Sequence, residues 1–225
     1  MNSRGARASG RLFLAHFFRM ISPVPPFLWS RTKPPVAGLR WILLVLVVLI
    51  LRLPGADTPS RDLTGHAFDP LDHAPAGTVI LLFMATDCPI SNRYAPVVND
   101  LVKVFASPTL RFFAVYPDPA TTPAAIRKHQ WDYGYTLPTL MDPEHTLVRR
   151  AGATVTPEVA VFSISAEAGK SPRLVYRGRI DNRHEDIGRS RPNATQDDLR
   201  EVLKAIVNGT PLELHTTRAV GCYIE

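Results

Sequence analysis

The chain has 225 residues and a formal net charge of +6, with 45% apolar and 20% charged residues, a composition that excludes a disordered or wholly membrane-embedded protein. The charge is unevenly placed: eight of the 26 basic residues lie at or before Arg52, and no Asp or Glu precedes Asp57. From residue 53 onward eighteen basic residues face 20 acids, so the body is slightly acidic and a basic nucleic-acid-binding domain, which needs a dense cationic face of its own, is not expected.

The first feature in chain order is unbroken hydrocarbon over residues 41–51, bracketed by Arg40 and Arg52. It is shorter than the roughly 20 apolar residues a membrane-spanning helix needs. Its length suits a secretory h-region of roughly 7 to 15 residues, and Gly55 and Ala56 supply small residues for a cleavage zone. A cleaved signal peptide and an uncleaved transmembrane anchor are both open. Either keeps the basic side in the cytoplasm and puts the body outside it, in a periplasm-like space. Residues 1–56 are therefore read as a targeting or anchor segment, and the Asp-, Pro-, His- and Gly-rich residues 57–77 as a linker or irregular lead-in.

The apolar, β-branched run 78–84 reads as a strand buried on both faces. Tyr94, Val97, Val98, Leu101, Val102 and Phe105 recur at helical spacing, predicting a helix from Pro89 to about Ala106. A second buried strand follows at 110–116. Residues 122–133 open with Thr122 and Pro123, a cap and a first-turn proline, and predict a helix. A short helix is expected at 145–150 and strands at 158–164 and 174–180, the last alternating like a half-exposed sheet edge. A helix over 195–207 takes Thr195 as its cap, with Asp197 and Asp198 in its first turn and Gly209 just beyond its end. Residues 210–225 form a tail without periodicity. The order β-α-β-α-(α)-β-β-α predicts an α/β domain over 78–209, a mixed sheet with helices on both faces.

Only two cysteines occur, Cys88 and Cys222. Cys88 stands four residues after the first buried strand, where the next helix opens. Free N–H groups and the positive helix end lower a thiol pKa there, and Pro89 costs nothing at the first helical position, where an N–H has no partner anyway.

Cys88-Pro89-Ile90-Ser91 opening a helix after a buried strand, with Pro96 eight residues on, resembles the active-site helix of the thioredoxin fold. Thr156-Pro157, just before the strand at 158–164, stands where thioredoxin-like proteins place a cis-proline that faces the reactive cysteine and binds a partner's backbone. The resemblance extends to extracytoplasmic redoxins of the thiol peroxidase, antioxidant and thiol–disulfide oxidoreductase group. It covers roughly residues 75–225, including the segments 88–96, 116–119, 176–181 and 221–224. It implies a thioredoxin-like fold, a catalytic Cys88, partner binding at Thr156 and Pro157, and supporting roles for Pro89 and Ser91.

The departures are informative. The second position of a CxxC pair is Ser91, which cannot resolve a mixed disulfide by attack, though its hydroxyl can hydrogen-bond a thiolate. Cys222 is the candidate resolving thiol and is expected to form a redox-active pair with Cys88; a free tail thiol or a bond to a partner are the alternatives. Peroxiredoxins carry a proline and a threonine where this chain has Leu81 and Ala85. The leading expectation is thus an extracytoplasmic thiol–disulfide oxidoreductase with no cofactor. Its partners are protein or small-molecule thiols and disulfides, plus the membrane if the anchor is uncleaved. A thiol peroxidase is the first alternative. A Cu(I) carrier using Cys88, Cys222 and one histidine is the second; His129, His145, His184 and His215 show no ligand-like spacing, and no metal site is assigned.

Overall fold

The elements run β1 (Arg61–Asp62), β2 (Gly77–Phe83), α1 (Pro89–Arg93), α2 (Ala95–Phe105), β3 (Leu110–Tyr116), α3 (Pro123–Tyr133), β4 (Thr139–Met141) and α4 (Thr146–Ala151). They continue with β5 (Val155–Thr156), β6 (Glu158–Ile164), β7 (Arg173–Gly178), β8 (His184–Asp186), β9 (Arg189–Ser190), α5 (Asp198–Val207), β10 (His215–Thr216) and β11 (Cys222–Tyr223). The computed structural model describes residues 59–72, 74–167 and 169–225. The chain divides into two units, Met1–Pro54 and Gly55–Glu225, and every described residue belongs to the second. The targeting or anchor segment expected at 1–56 lies outside the described residues, and among those described no helix is long and apolar enough to cross a membrane.

A seven-stranded mixed sheet has the order β1-β4-β3-β2-β6-β7-β10. β2 pairs in parallel with β3 and antiparallel with β6. Successive strand residues point to opposite faces, so β2 serves two cores. Ile80, Leu82 and Met84 join Val98, Leu101, Ile126, Leu199 and Leu203 from α2, α3 and α5 on one side. Val79, Leu81 and Phe83 join Leu147, Val148 and Ala151 from α4 and Leu71 from the lead-in on the other. The mixed sheet with helices on both faces is the architecture expected.

Several boundaries differ from expectation, each for a physical reason. The helix expected over 89–106 is two helices meeting at Tyr94, because Pro96 lacks the N–H that would continue the ladder and its ring crowds the preceding turn. The last helix starts at Asp198 rather than Thr195. Asn182 takes Thr195 instead: its side-chain oxygen accepts from the Thr195 and Gln196 N–H groups at 2.8 and 3.1 Å, and its amide donates to Thr195 Oγ1 at 2.8 Å. β7 is not a sheet edge, since β10 pairs with it in parallel, His215 opposite Tyr176. The strand also stops at Gly178, where a side chain would collide with Thr217.

The lead-in at 57–77 carries sheet structure. β1 pairs with β4, and Arg150 on α4 holds Asp69 at 2.6 Å and Asp72 at 2.9 Å. The tail likewise carries β10 and β11 and returns to the body.

Candidate functional site

Cys88 is the N-cap residue of α1, in extended conformation, with Pro89 at the first helical position. It is only 1% exposed. The Thr156–Pro157 peptide bond is cis and brings the Thr156 carbonyl over the thiol, so Cys88 Sγ donates to Thr156 O at 3.0 Å. β11 pairs antiparallel with β5, Cys222 opposite Thr156 and Tyr223 opposite Val155. That pairing sets Cys222 Sγ 2.8 Å from Cys88 Sγ, with both cysteines present as free thiols. Cys88, Thr156, Pro157 and Cys222, far apart in sequence, thus meet at one place, and Pro89 and Ser91 lie on the helix turn beneath it.

The two thiols are driven apart in acidity. Burial pushes the Cys88 thiol up, but hydrogen bonding from Cys222 and from the N–H and hydroxyl of Ser91 outweighs it, and the net direction is down. Burial, the hydrogen bond to Cys88, and the negative charge of Cys88 and Asp87 push Cys222 up to about 11. The first proton therefore leaves Cys88 while Cys222 keeps its own as donor. Loss of that proton changes the role of Cys88 Sγ. As a thiol it donates to Thr156 O while accepting from Cys222 Sγ; as a thiolate it only accepts, from Cys222 and Ser91. The Ser91 hydroxyl, fully buried, has no hydrogen-bond partner of ordinary geometry in the resting thiol form. The charge is thus held mainly by local donors, one of them the Ser91 N–H at the third position of α1, and α1 itself is only five residues long.

Further residues, not singled out from the sequence, hold this geometry. Glu158, 4% exposed, accepts from the N–H groups of Thr154 and Val155 at 2.7 and 3.3 Å. Arg177 lies 3.6 Å from that carboxylate and donates to Gly152 O at 2.7 Å. Together they fix the loop that leads into β5. On the helix side, Asn92 Nδ2 donates to Thr86 O at 3.2 Å and Asn92 Oδ1 accepts from His129 Nε2 at 2.8 Å, while His129 Nδ1 meets Tyr116 Oη at 2.8 Å. Tyr94 Oη donates to the buried Asp181 carboxylate at 2.7 Å, and Arg183 pairs with the same carboxylate at 3.1 Å. The segment 176–181 is thus scaffolding around the thiols. The available signal was a density of polar residues in otherwise apolar surroundings.

A groove of about 420 Å³ adjoins the pair, its walls including Asp87, Asp118, Thr156, Cys222, Tyr223 and Glu225. His145 Nε2 meets Pro117 O at 3.0 Å and steadies one wall. Among the described residues no group of three or more His, Cys, Asp or Glu side chains is placed to hold a metal ion. Among the described residues no histidine joins Cys88 and Cys222 in such a group. His129 is instead engaged with Tyr116 and Asn92.

No curated protein matches the chain. Its structure is similar to a hypothetical protein from Sinorhizobium meliloti 1021, with 23% identity and a TM-score of 0.56 over 75% of this chain and 90% of that one. It is also similar to an uncharacterized conserved protein from Geobacillus kaustophilus, with 21% identity and a TM-score of 0.54 over 76% and 90% of the two chains. The fold is a thioredoxin-like α/β fold. The AhpC/TSA family matches residues 55–170, a span that includes Cys88, Thr156 and Pro157 and ends before Cys222. The chain belongs to the AhpC/TSA family.

Proposed function

We propose that the protein is an extracytoplasmic thiol–disulfide oxidoreductase in which Cys88 is the attacking thiol and Cys222 resolves. The observation that carries this reading is the 2.8 Å contact between two free thiols of opposed acidity. Nucleophilic sulfur chemistry needs a thiolate, and the donors around Cys88 favour one there.

In the reductive direction, Cys88 thiolate attacks one sulfur of a partner disulfide. The Cys88–partner bond forms, the partner S–S bond breaks, and the departing sulfur takes up a proton. Cys222 then loses its proton and attacks Cys88 Sγ. The Cys88–Cys222 bond forms and the partner leaves as a dithiol. Two electrons have passed to the partner, and an external dithiol restores the pair by the same exchange. The reverse sequence oxidises a partner dithiol. Pro157 and Thr156 border the approach to Cys88 and are assigned to partner contact. The basic, apolar residues 1–56 support export, and exposure to an oxidising space suits a protein whose two cysteines lie in contact.

Peroxide reduction is less well supported. Leu81 and Ala85 stand where peroxiredoxins carry proline and threonine, and Cys88 Sγ is covered by Thr156 O and Cys222 Sγ. The test is Cys88→Ser, assayed for reduction of a protein disulfide with a dithiol donor. Turnover is expected to vanish. Full activity in Cys88→Ser would overturn the assignment.

A further inference from the structure

β5 is two residues long, and among the described residues its only strand partner is β11. The segment 221–224 lies on it as an added strand: Ile224 N–H donates to Thr154 O at 3.0 Å, and Thr156 Oγ1 donates to Cys222 O at 3.5 Å. Gly221 is buried against the cis peptide, and any side chain there would collide with the backbone of Thr156. This segment also covers the thiol. With Cys88 1% exposed and its Sγ touching Thr156 O and Cys222 Sγ, a foreign disulfide cannot reach Cys88 while the segment is down. When it lifts, β5 loses its paired strand and presents a free edge beside the uncovered thiol, which is the situation in which an edge accepts an extended peptide.

We infer that residues 221–224 are a tethered occupant of the site that a partner's cysteine-bearing segment must take, so that partner entry and docking of residues 221–224 exclude one another. The partner is an extended protein segment with glycine directly before its cysteine, because the Gly221 position leaves no room for a side chain. The same edge then orders the reaction: the partner's backbone must leave β5 before Cys222 returns to attack the mixed disulfide. This rests on Cys88 being the attacking thiol.

The test uses the full chain carrying Cys222→Ala, in which Cys88 is the one thiol, and measures its alkylation rate by iodoacetamide. Two additions in that background lift the segment by different means. Gly221→Val forces it off the cis peptide, and Ile224→Pro removes the N–H that donates to Thr154. Each is expected to raise the rate tenfold or more with an unchanged circular-dichroism spectrum. A peptide of residues 218–225 carrying Cys222→Ala, added in trans, is expected to slow the reaction again, and the same peptide with Gly221→Val is not. Rates within twofold of the Cys222→Ala parent in both lifted variants would overturn the inference. Should Gly221→Val not fold, Ile224→Pro and the peptide decide it. These rates report cover over Cys88 without turnover, so they stand apart from the Cys88→Ser assay.

Discussion

The two cysteines are held in opposite ways. Cys88 sits where a central strand, buried on both faces, hands over to a helix, and it is anchored by core packing and by the Tyr94–Asp181 and Asn92–His129 links. Cys222 is held by a two-residue strand pair and a few backbone contacts, and its neighbour Tyr223 is 79% exposed. One thiol is fixed by tertiary structure and the other is presented by an attachment that is weak by comparison. The contrast teaches that the more acidic thiol is the one held by the core, and the less acidic one is held by the tail. The fixed cysteine receives the donors that favour a thiolate, and in the proposed exchange the more lightly held one keeps its proton until it attacks.

Joining the two should have the largest effect. A Cys88–Cys222 bond closes a loop across 134 residues, and the chain-entropy argument gives about 5 kcal/mol of added stability. Oxidised protein is therefore expected to unfold at clearly higher urea concentration than reduced protein, and Cys222→Ser should erase the difference. Equal midpoints would mean that the pair does not bridge.

Removing the donor between them is a smaller change. A hydrogen bond to a charged group is worth about 1.5 kcal/mol or more, so Cys222→Ala should raise the Cys88 pKa by about one unit. Thiolate absorbance near 240 nm, followed against pH, reads this directly. Cys222→Ser, which keeps a donor, should shift it less. A pKa unmoved by Cys222→Ala would place the thiolate's support on Ser91 alone.

The smallest effect concerns the scaffold on the fixed side. Burial lowers the pKa of His129 and of His184 below the ordinary 6.5, against an opposing pull from Asp132 in one and Asp181 in the other. On acidification the unfolded chain binds these protons first. The contribution to stability is therefore whole above pH 6.5 and is lost as pH falls below it. Urea midpoints should drop between pH 7.5 and pH 5, and His129→Gln should flatten the slope. Midpoints independent of pH in this range would show that the imidazoles are not held neutral.

The same contrast explains what the sequence makes legible. β2, β3 and β6 announce themselves through dense local apolar runs, and β6 spans the expected residues. Cys88 is legible because a strand end, a cysteine and a proline lie together. Thr156–Pro157 is legible only beside it. β5 and β11 leave no periodic trace. Two residues are too few to alternate, and each is a strand only because the other, 66 or more residues away, supplies its hydrogen bonds. Glu158 reads as an ordinary strand residue until its carboxylate is seen gathering the N–H groups before β5. Thr195 has the right chemistry for a cap, but Asn182 competes for it from thirteen residues away.

The separation of 134 residues between the two thiols has a consequence for biosynthesis. At about 5–20 residues per second, roughly 7 to 27 s pass between the making of Cys88 and the making of its cover. Throughout that interval the nascent chain carries a thiol destined to be its most acidic, with nothing yet over it. An export route that delays folding until the chain has crossed the membrane keeps that sulfur among the reduced thiols of the cytosol during those seconds. On the export proposed above, a chain threaded N-terminus first brings Cys88 across 134 residues ahead of Cys222, so the thiol reaches the outer space before its cover does.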